Sequence, residues 1–263
     1  MVIPDFGACL ALINGARKGA GMKVEIGHIQ AIFRYPVKSM AGESLDRAPL
    51  GWHGLEGDRR FAFRRVAERG GFPWLSASGL PALILYKPIR QDSTQDLPTH
   101  VMTPEGHVLK LDSDELRGEI ARQYGADVQL MQFKHGIFDE AVISLLNLAT
   151  IDKITQDAGQ PADVRRFRPN IVIDTHDPEP FTEDQWVGKS IVFGDSGDSE
   201  DSPAVQVTLR DERCMMVNLN PETAQSDPAV LKTVVRLNQN YAGAYATVIH
   251  VGTLAVGQKI YLE

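Results

Sequence analysis

Ala204-Val205-Gln206-Val207-Thr208-Leu209 alternates apolar and polar side chains, then runs directly into Arg210-Asp211-Glu212-Arg213-Cys214-Met215-Met216-Val217. A period of two is the pattern of a strand buried on one face, so the stretch predicts a β-rich fold and puts Cys214 near a strand end. Strand ends and the loops after them are where a rigid sheet commonly carries its site. A fixed positive charge beside a thiol favours the thiolate, the nucleophilic and metal-ligating form, and Arg213 supplies that charge. The competing reading is packing, because a free cysteine most often behaves as a small buried hydrophobe.

Outward from this stretch, Val24, Ile26, Ile29, Ile32 and Phe33 open a first strand. Short apolar runs punctuated by Gly and Pro continue to about residue 133 and predict a β-rich first half. Three helices are expected from their caps. One takes its N-cap from Asp112-Ser113-Asp114-Glu115-Leu116, with acids in its first turn, and stops at Gly125, a second covers 146–158 before Gly159, and a third starts at Ser226-Asp227-Pro228. Further strands are expected at 170–174, 189–193 and 204–209, and 245–263 reads as strand, a turn containing Gly252, and strand. Polar segments 91–98 and 194–203 read as surface loops. The fold class is therefore β-rich α+β, with two packed domains, each a β-barrel-like sheet with a few helices, spanning 22–135 and 136–263. Residues 1–21, glycine-rich toward their end, read as a flexible and dispensable N-terminal extension ahead of a natural start at Met22.

The chain of 263 residues is long enough for a sizeable core. Its net charge of −7 argues against general nucleic-acid binding. No apolar run approaches the roughly 18 to 20 residues that span a bilayer, so no membrane association is expected. The apolar stretch 8–13 lacks a preceding basic region and does not read as a signal peptide. Cys9 and Cys214 are the only cysteines, too few for a disulfide framework and consistent with a cytoplasmic location.

Basic residues gather at Arg34 and Lys38, at Arg59, Arg60, Arg64 and Arg65, at Arg165, Arg166 and Arg168, and at Arg210 and Arg213. Converging, they would make an anion site; apart, each is a solvated face. Gly51, Gly54 and Gly57 lack the spacing of a dinucleotide-binding loop and read as turn glycines. The seven histidines lie at no zinc-ligand spacing from one another or from Cys214, although a Cys-His nucleophilic pair could still meet in space.

Five motifs in register resemble the MOSC-domain proteins with an N-terminal MOSC-associated β-barrel domain. They are Tyr35-Pro36-Val37-Lys38-Ser39, Gly57-Asp58-Arg59-Arg60-Phe61, Arg166-Phe167-Arg168-Pro169-Asn170-Ile171-Val172-Ile173, Arg213-Cys214 with Asn220-Pro221-Glu222-Thr223, and Gly252-Thr253-Leu254-Ala255-Val256-Gly257. Within that superfamily the chain is similar to the mitochondrial amidoxime-reducing component and its bacterial relatives. The resemblance implies a molybdenum cofactor (Mo-molybdopterin), not pyridoxal phosphate, with Cys214 coordinating the metal beside the pterin dithiolene and oxo groups. It also implies that Lys38, Ser39, Arg59, Arg168, Asn170 and Arg213 hold the pterin and its phosphate, and that Ser144 lines the same cleft. A soft thiolate suits such a sulfur-rich centre.

The expected activity is reduction of a small-molecule substrate of the N-hydroxylated class: hydroxylamines, amidoximes or N-hydroxylated bases. With no cysteine set for an iron–sulfur cluster and no fused ferredoxin-like domain before the chain stops at Glu263, electrons are expected from a separate protein. The alternatives are a carrier of the cofactor or a sulfur-transfer protein using Cys214, and a binding module without chemistry. Some positions depart from the family pattern: Glu212 for a small hydroxyl residue, Val217 and Asn218 for a pair of threonines, Asn220 for aspartate and Ser78 for arginine. Val217, Asn218 and Asn220 are expected to line the approach to the metal and to shift substrate preference. Glu212 is expected to need Arg210 or Arg213 as a partner.

Overall fold

A computed structural model describes residues 23–91, 97–194 and 202–263. The expected N-terminal extension, Cys9, most of the expected 194–203 loop and the middle of the expected 91–98 loop lie outside these residues.

The first half holds β1 (Val24–Arg34), β2 (Glu43–Leu45), β3 (Arg47–Gly51), β4 (Gly54–Leu55), β5 (Phe61–Arg65), β6 (Lys87–Ile89), β7 (His100–Met102), β8 (Val108–Lys110), α1 (Asp114–Tyr124) and β9 (Val128–Gln132). The second half holds β10 (Ile143–Asn147), α2 (Leu148–Asp157), β11 (Ile171–Thr175), β12 (Ser190–Phe193), β13 (Ala204–Glu212), α3 (Ala229–Asn238), β14 (Tyr241–His250), β15 (Gly252–Ala255) and β16 (Lys259–Leu262). The protein is β-rich α+β, as its sequence predicts.

Seven strands close into a barrel in the order β1-β11-β10-β14-β13-β12-β16, β16 returning to β1, while β2 extends from the far end of β1. Six of the staves come from the second half and one from the first. β10 and β11 are parallel, and α2 is the crossover that such a pair requires. β1 reaches both β11 and β16 because its ladder shifts register around Gly27. A Cβ on Gly27 would lie 2.1 Å from the Asp174 carbonyl oxygen, so only glycine lets the strands approach this closely. Alternating inward residues fill the barrel, among them Ile29, Ile32, Leu145, Ile173, Phe193, Val205, Val207 and Ile260. Burying each of the larger ones is worth about 1.5–3 kcal/mol.

The first half adds small sheets, β3 with β4 and β15, β5 with β9, and β6-β7-β8, around a second core of Val37, Met40, Phe63, Leu83, Tyr86 and Ile120. A third cluster packs α2 and α3 on the outside of the barrel through Ile151, Ile154, Val230 and Val234.

Caps explain the helices. The Ser113 side chain accepts from the Leu116 amide at 3.2 Å, and Gly125 closes α1 in the left-handed region at φ 83°. The second helix starts later than expected, because residues 143–147 form the wholly buried strand β10 and the Asn147 side chain caps α2. β13 continues three residues beyond the expected 209, its ladder extending to Glu212 opposite Tyr241. Gly252 is not in a turn: it opens β15, paired with Leu50, and the turn before β16 uses Gly257 at φ 81°.

Candidate functional site

One cavity of about 870 Å³ opens where the first half meets the barrel. The volume is in the range of small-molecule and cofactor pockets. Lys38, Ser39, Arg59, Ser144, Arg168, Arg213 and Cys214 all line it. Asn170, the remaining expected cofactor residue, is buried behind that wall. Its Oδ1 accepts from the Ser144 amide at 3.1 Å, and its Nδ2 donates to Asp58 at 3.0 Å. It braces the wall and does not line the cavity.

The backbone here is unusual. Ser39, Arg59 and Arg168 have φ of 65°, 48° and 53°, a left-handed conformation that costs a non-glycine residue energy. Three cavity-lining residues share it, and the surrounding bonds hold them there. The Arg59 amide donates to the Tyr35 carbonyl at 2.8 Å, while the Tyr35 amide donates to the buried Asp58 carboxylate at 2.7 Å. Asp58 also pairs with the Arg59 guanidinium. This single carboxylate therefore ties the Tyr35 and Arg59 segments to Asn170 and the barrel.

The lining carries six basic side chains, Lys38, Arg59, Arg166, Arg168, Arg210 and Arg213, against four acidic ones, Asp139, Glu140, Asp211 and Glu212. Lys38 donates to Asp139 at 2.7 Å across the cavity, and burial lowers its pKa. Arg168 has no carboxylate partner among the described residues. It donates to the Met40 carbonyl at 2.7 Å, and its guanidinium lies 4.2 Å from the Tyr35 ring centre. Desolvation, aided by Arg59, lowers its pKa to about 10. A desolvated cation without a counter-charge is costly, and an anion in the cavity would offset it. The residues present thus fit a polyanionic cofactor.

Arg213 is otherwise engaged: Nε donates to the Ala242 carbonyl at 2.6 Å, Nη1 to the Phe167 carbonyl at 2.8 Å, and Nη2 pairs with Asp211 at 2.9 Å. Gly243 makes room for it, since a Cβ there would lie 2.9 Å from Nη2. Burial pushes the Asp211 carboxyl up against the pull of Arg213, and Ser144 Oγ donates to it at 2.9 Å.

Cys214 follows β13 by two residues and precedes the 3-10 turn Met215–Asn218. It is exposed, which removes the packing reading. Among the described residues no three His, Cys, Asp or Glu side chains come together to hold a metal. A metal here would find one protein ligand in Cys214 and take the rest from a cofactor. Cys214 also has no histidine beside it in the lining.

Of the expected approach residues Val217 alone lines the cavity; Ser78 and Glu212, the other departures from the family pattern, line it as well. Asn218 is buried, its Oδ1 accepting from the Leu231 amide at 2.8 Å, and Asn220 Oδ1 accepts from the Glu222 amide in a turn. Glu212 pairs with neither arginine, because Arg210 holds Asp184 and Arg213 holds Asp211; it accepts instead from Asn240 at 3.2 Å. Sequence reasoning passed over Asp58, Asp139, Asp211, Tyr35 and Tyr245. Asp58 and Tyr35 carried a signal, each standing in one of the five motifs.

Family models match this architecture. The MOSC N-terminal beta barrel domain matches residues 26–142 and the MOSC domain residues 132–261, so together they span nearly the whole chain. The chain belongs to the MOSC family, which is associated with molybdenum-cofactor binding. Among solved structures, the YUAD protein from Bacillus subtilis is similar over 92% of this chain and 98% of that one, at 14% identity and a TM-score of 0.50, and it shares the fold. A hypothetical protein aligns over 92% of this chain and 67% of its own at 12% identity and a TM-score of 0.41. YiiM from Geobacillus stearothermophilus aligns over 46% and 54% at 19% identity and a TM-score of 0.35. No curated protein matches the sequence.

Proposed function

We propose that this chain is a molybdenum-cofactor-dependent reductase of N-hydroxylated compounds. The observation that carries the reading is the exposed Cys214 thiol in the wall of a cavity with surplus positive charge. In this reading Cys214 is the soft ligand to the metal. Arg168 and Lys38 bind the anionic part of the cofactor by charge, and Ser39 and Arg59, fixed by their left-handed backbone, orient it. When bound, the cofactor supplies a redox metal with exchangeable oxygen positions, open to the oxygen of an N–O substrate. Phe72, Val187 and Leu209, exposed and apolar, line the same cavity and offer a surface for the substrate body.

The net conversion is R–NHOH plus two electrons and two protons to R–NH2 and water, the N–O bond breaking. A separate reduced protein is the electron source, and the reaction belongs to the cytoplasm. The exposure of Cys214 also favours one other reading, a carrier of the cofactor or a sulfur-transfer protein in which a persulfide is handed outward. Protein from a host that makes the cofactor should contain molybdenum and pterin, and with reduced viologen should convert a hydroxylamine or amidoxime to the amine. Loaded protein inert across hydroxylamines, amidoximes and N-oxides would establish the carrier instead.

A further inference from the structure

Beyond the large cavity, Tyr35, Gly42, Lys87, Arg165, Arg166 and Arg168 surround a smaller one of about 150 Å³. Arg166, Arg168 and Met216 line both and form the partition between them. At ~30 Å³ per water, the space holds about five waters, enough for a tetrahedral oxyanion.

Its walls leave polar groups unanswered. Arg166 is only 4% exposed, yet no carboxylate pairs with it among the described residues. Its Nη1 donates to the Asn218 carbonyl at 3.3 Å and its Nη2 to Gln160 Oε1 at 3.1 Å, while Nε has no partner. The Tyr35 hydroxyl, on a side chain 1% exposed, has no partner either. Burial holds that phenol protonated, pushing its pKa up to about 12, so it is available as a donor. Gly42 keeps the space beside the ring, since a Cβ there would lie 2.4 Å from the Tyr35 ring. A buried guanidinium with no carboxylate and an unpartnered Nε, and a buried hydroxyl without a partner, are each costly, and a single acceptor-rich anion would answer both. The one acid in the lining, Glu222, is held at the exposed rim by Arg165 at 2.6 Å.

We propose that the smaller cavity is a second anion site, taking a small tetrahedral oxyanion of the phosphate class between Arg166, Arg168, Lys87 and the Tyr35 hydroxyl. The site shares Arg166 and Arg168 with the larger cavity, whereas Tyr35, Gly42 and Lys87 belong to the smaller one alone, so phosphate binding there can be read without molybdenum.

The test titrates inorganic phosphate calorimetrically into the full chain, purified from a host that cannot make the cofactor, at constant ionic strength. Saturable one-site binding is expected. Tyr35→Phe, which keeps the ring, and Lys87→Ala, at an exposed position, should each weaken it about three- to tenfold, while Lys38→Ala in the larger cavity should change it less than twofold. Absence of saturable binding overturns the proposal. So does binding that Lys38→Ala removes and Tyr35→Phe and Lys87→Ala leave intact, which would put the anion in the larger cavity.

Discussion

Cys214 and Arg168 bear on the same cavity in different ways, and single substitutions should separate them. Cys214 is exposed, so Cys214→Ser should change unfolding free energy by no more than about 0.5 kcal/mol, the usual range at a surface position. It should still lower molybdenum content sharply, because serine offers a hard oxygen in place of a soft sulfur. Arg168→Ala should instead weaken pterin retention, by removing an uncompensated cation, and should also cost stability through the lost bond to the Met40 carbonyl and the lost stack on Tyr35. Metal and pterin analysis beside urea unfolding reads both. A serine variant with unchanged molybdenum would show that Cys214 is not a ligand.

At this scale the sequence was legible where chemistry is peculiar to a residue type: a lone cysteine after an arginine, and basic residues in recognisable motifs. It was mute where the work is done by convergence. Asp58 serves Tyr35, Arg59 and Asn170, whose positions are 23, 1 and 112 residues away, and no local pattern announces such a hub. The left-handed backbone at Ser39, Arg59 and Arg168 was equally hidden, because these residue types do not announce a positive φ as glycine does.

Helices and strands were read well where a cap or an alternation marks them, as at Ser113, Gly125 and the run 204–209. They were misread where tertiary burial overrides local signals. Residues 143–147 are buried on both faces between β11 and β14 and show no alternation, so 143–145 did not read as a strand and 146–147 merged into the helix that follows. Gly252 looked like a turn residue because its pairing partner, Leu50, is two hundred residues upstream.

A glycine inside a strand carries its own test. Gly243 in β14, at φ 93°, faces the Leu145 carbonyl oxygen at 2.7 Å and Arg213 Nη2 at 2.9 Å from a hypothetical Cβ. Gly243→Ala should therefore cost about 2–4 kcal/mol from strain and overpacking. Because it would press on Arg213, it should also weaken cofactor retention, which an alanine at an unconstrained strand glycine would not do. Urea unfolding together with pterin content checks both effects, and a variant as stable as its parent would mean that β14 can shift.

Stability of the whole molecule passes through Glu183, in the 3-10 segment Thr182–Trp186, which joins that segment to α2 and to the barrel. Thr150 Oγ donates to its Oε2 at 2.9 Å, and the Gly243 amide donates to its Oε1 at 3.2 Å. The side chain is fully buried, and no cation pairs with it among the described residues. Burial, with some help from Asp184, raises the carboxyl from 4.5 to about 7. Because the folded value lies above the unfolded one, the folded state binds this proton more tightly. The stability it contributes is fully present below about pH 4.5 and is lost as the pH rises through about 7. Each tenfold difference in proton affinity between the two states is worth about 1.4 kcal/mol, so the loss is roughly 3 kcal/mol. Asp211, also raised by burial, adds a change of the same sign, so the informative comparison is between parent and variant. Glu183→Gln keeps an acceptor for Gly243 and offers its amide to Thr150 without a charge at any pH. It should be more stable than the parent at pH 8, by roughly 1–3 kcal/mol, with the difference shrinking toward pH 5. Urea unfolding across that range measures it, and two parallel curves would show that Glu183 ionises at the ordinary carboxylate value despite its burial.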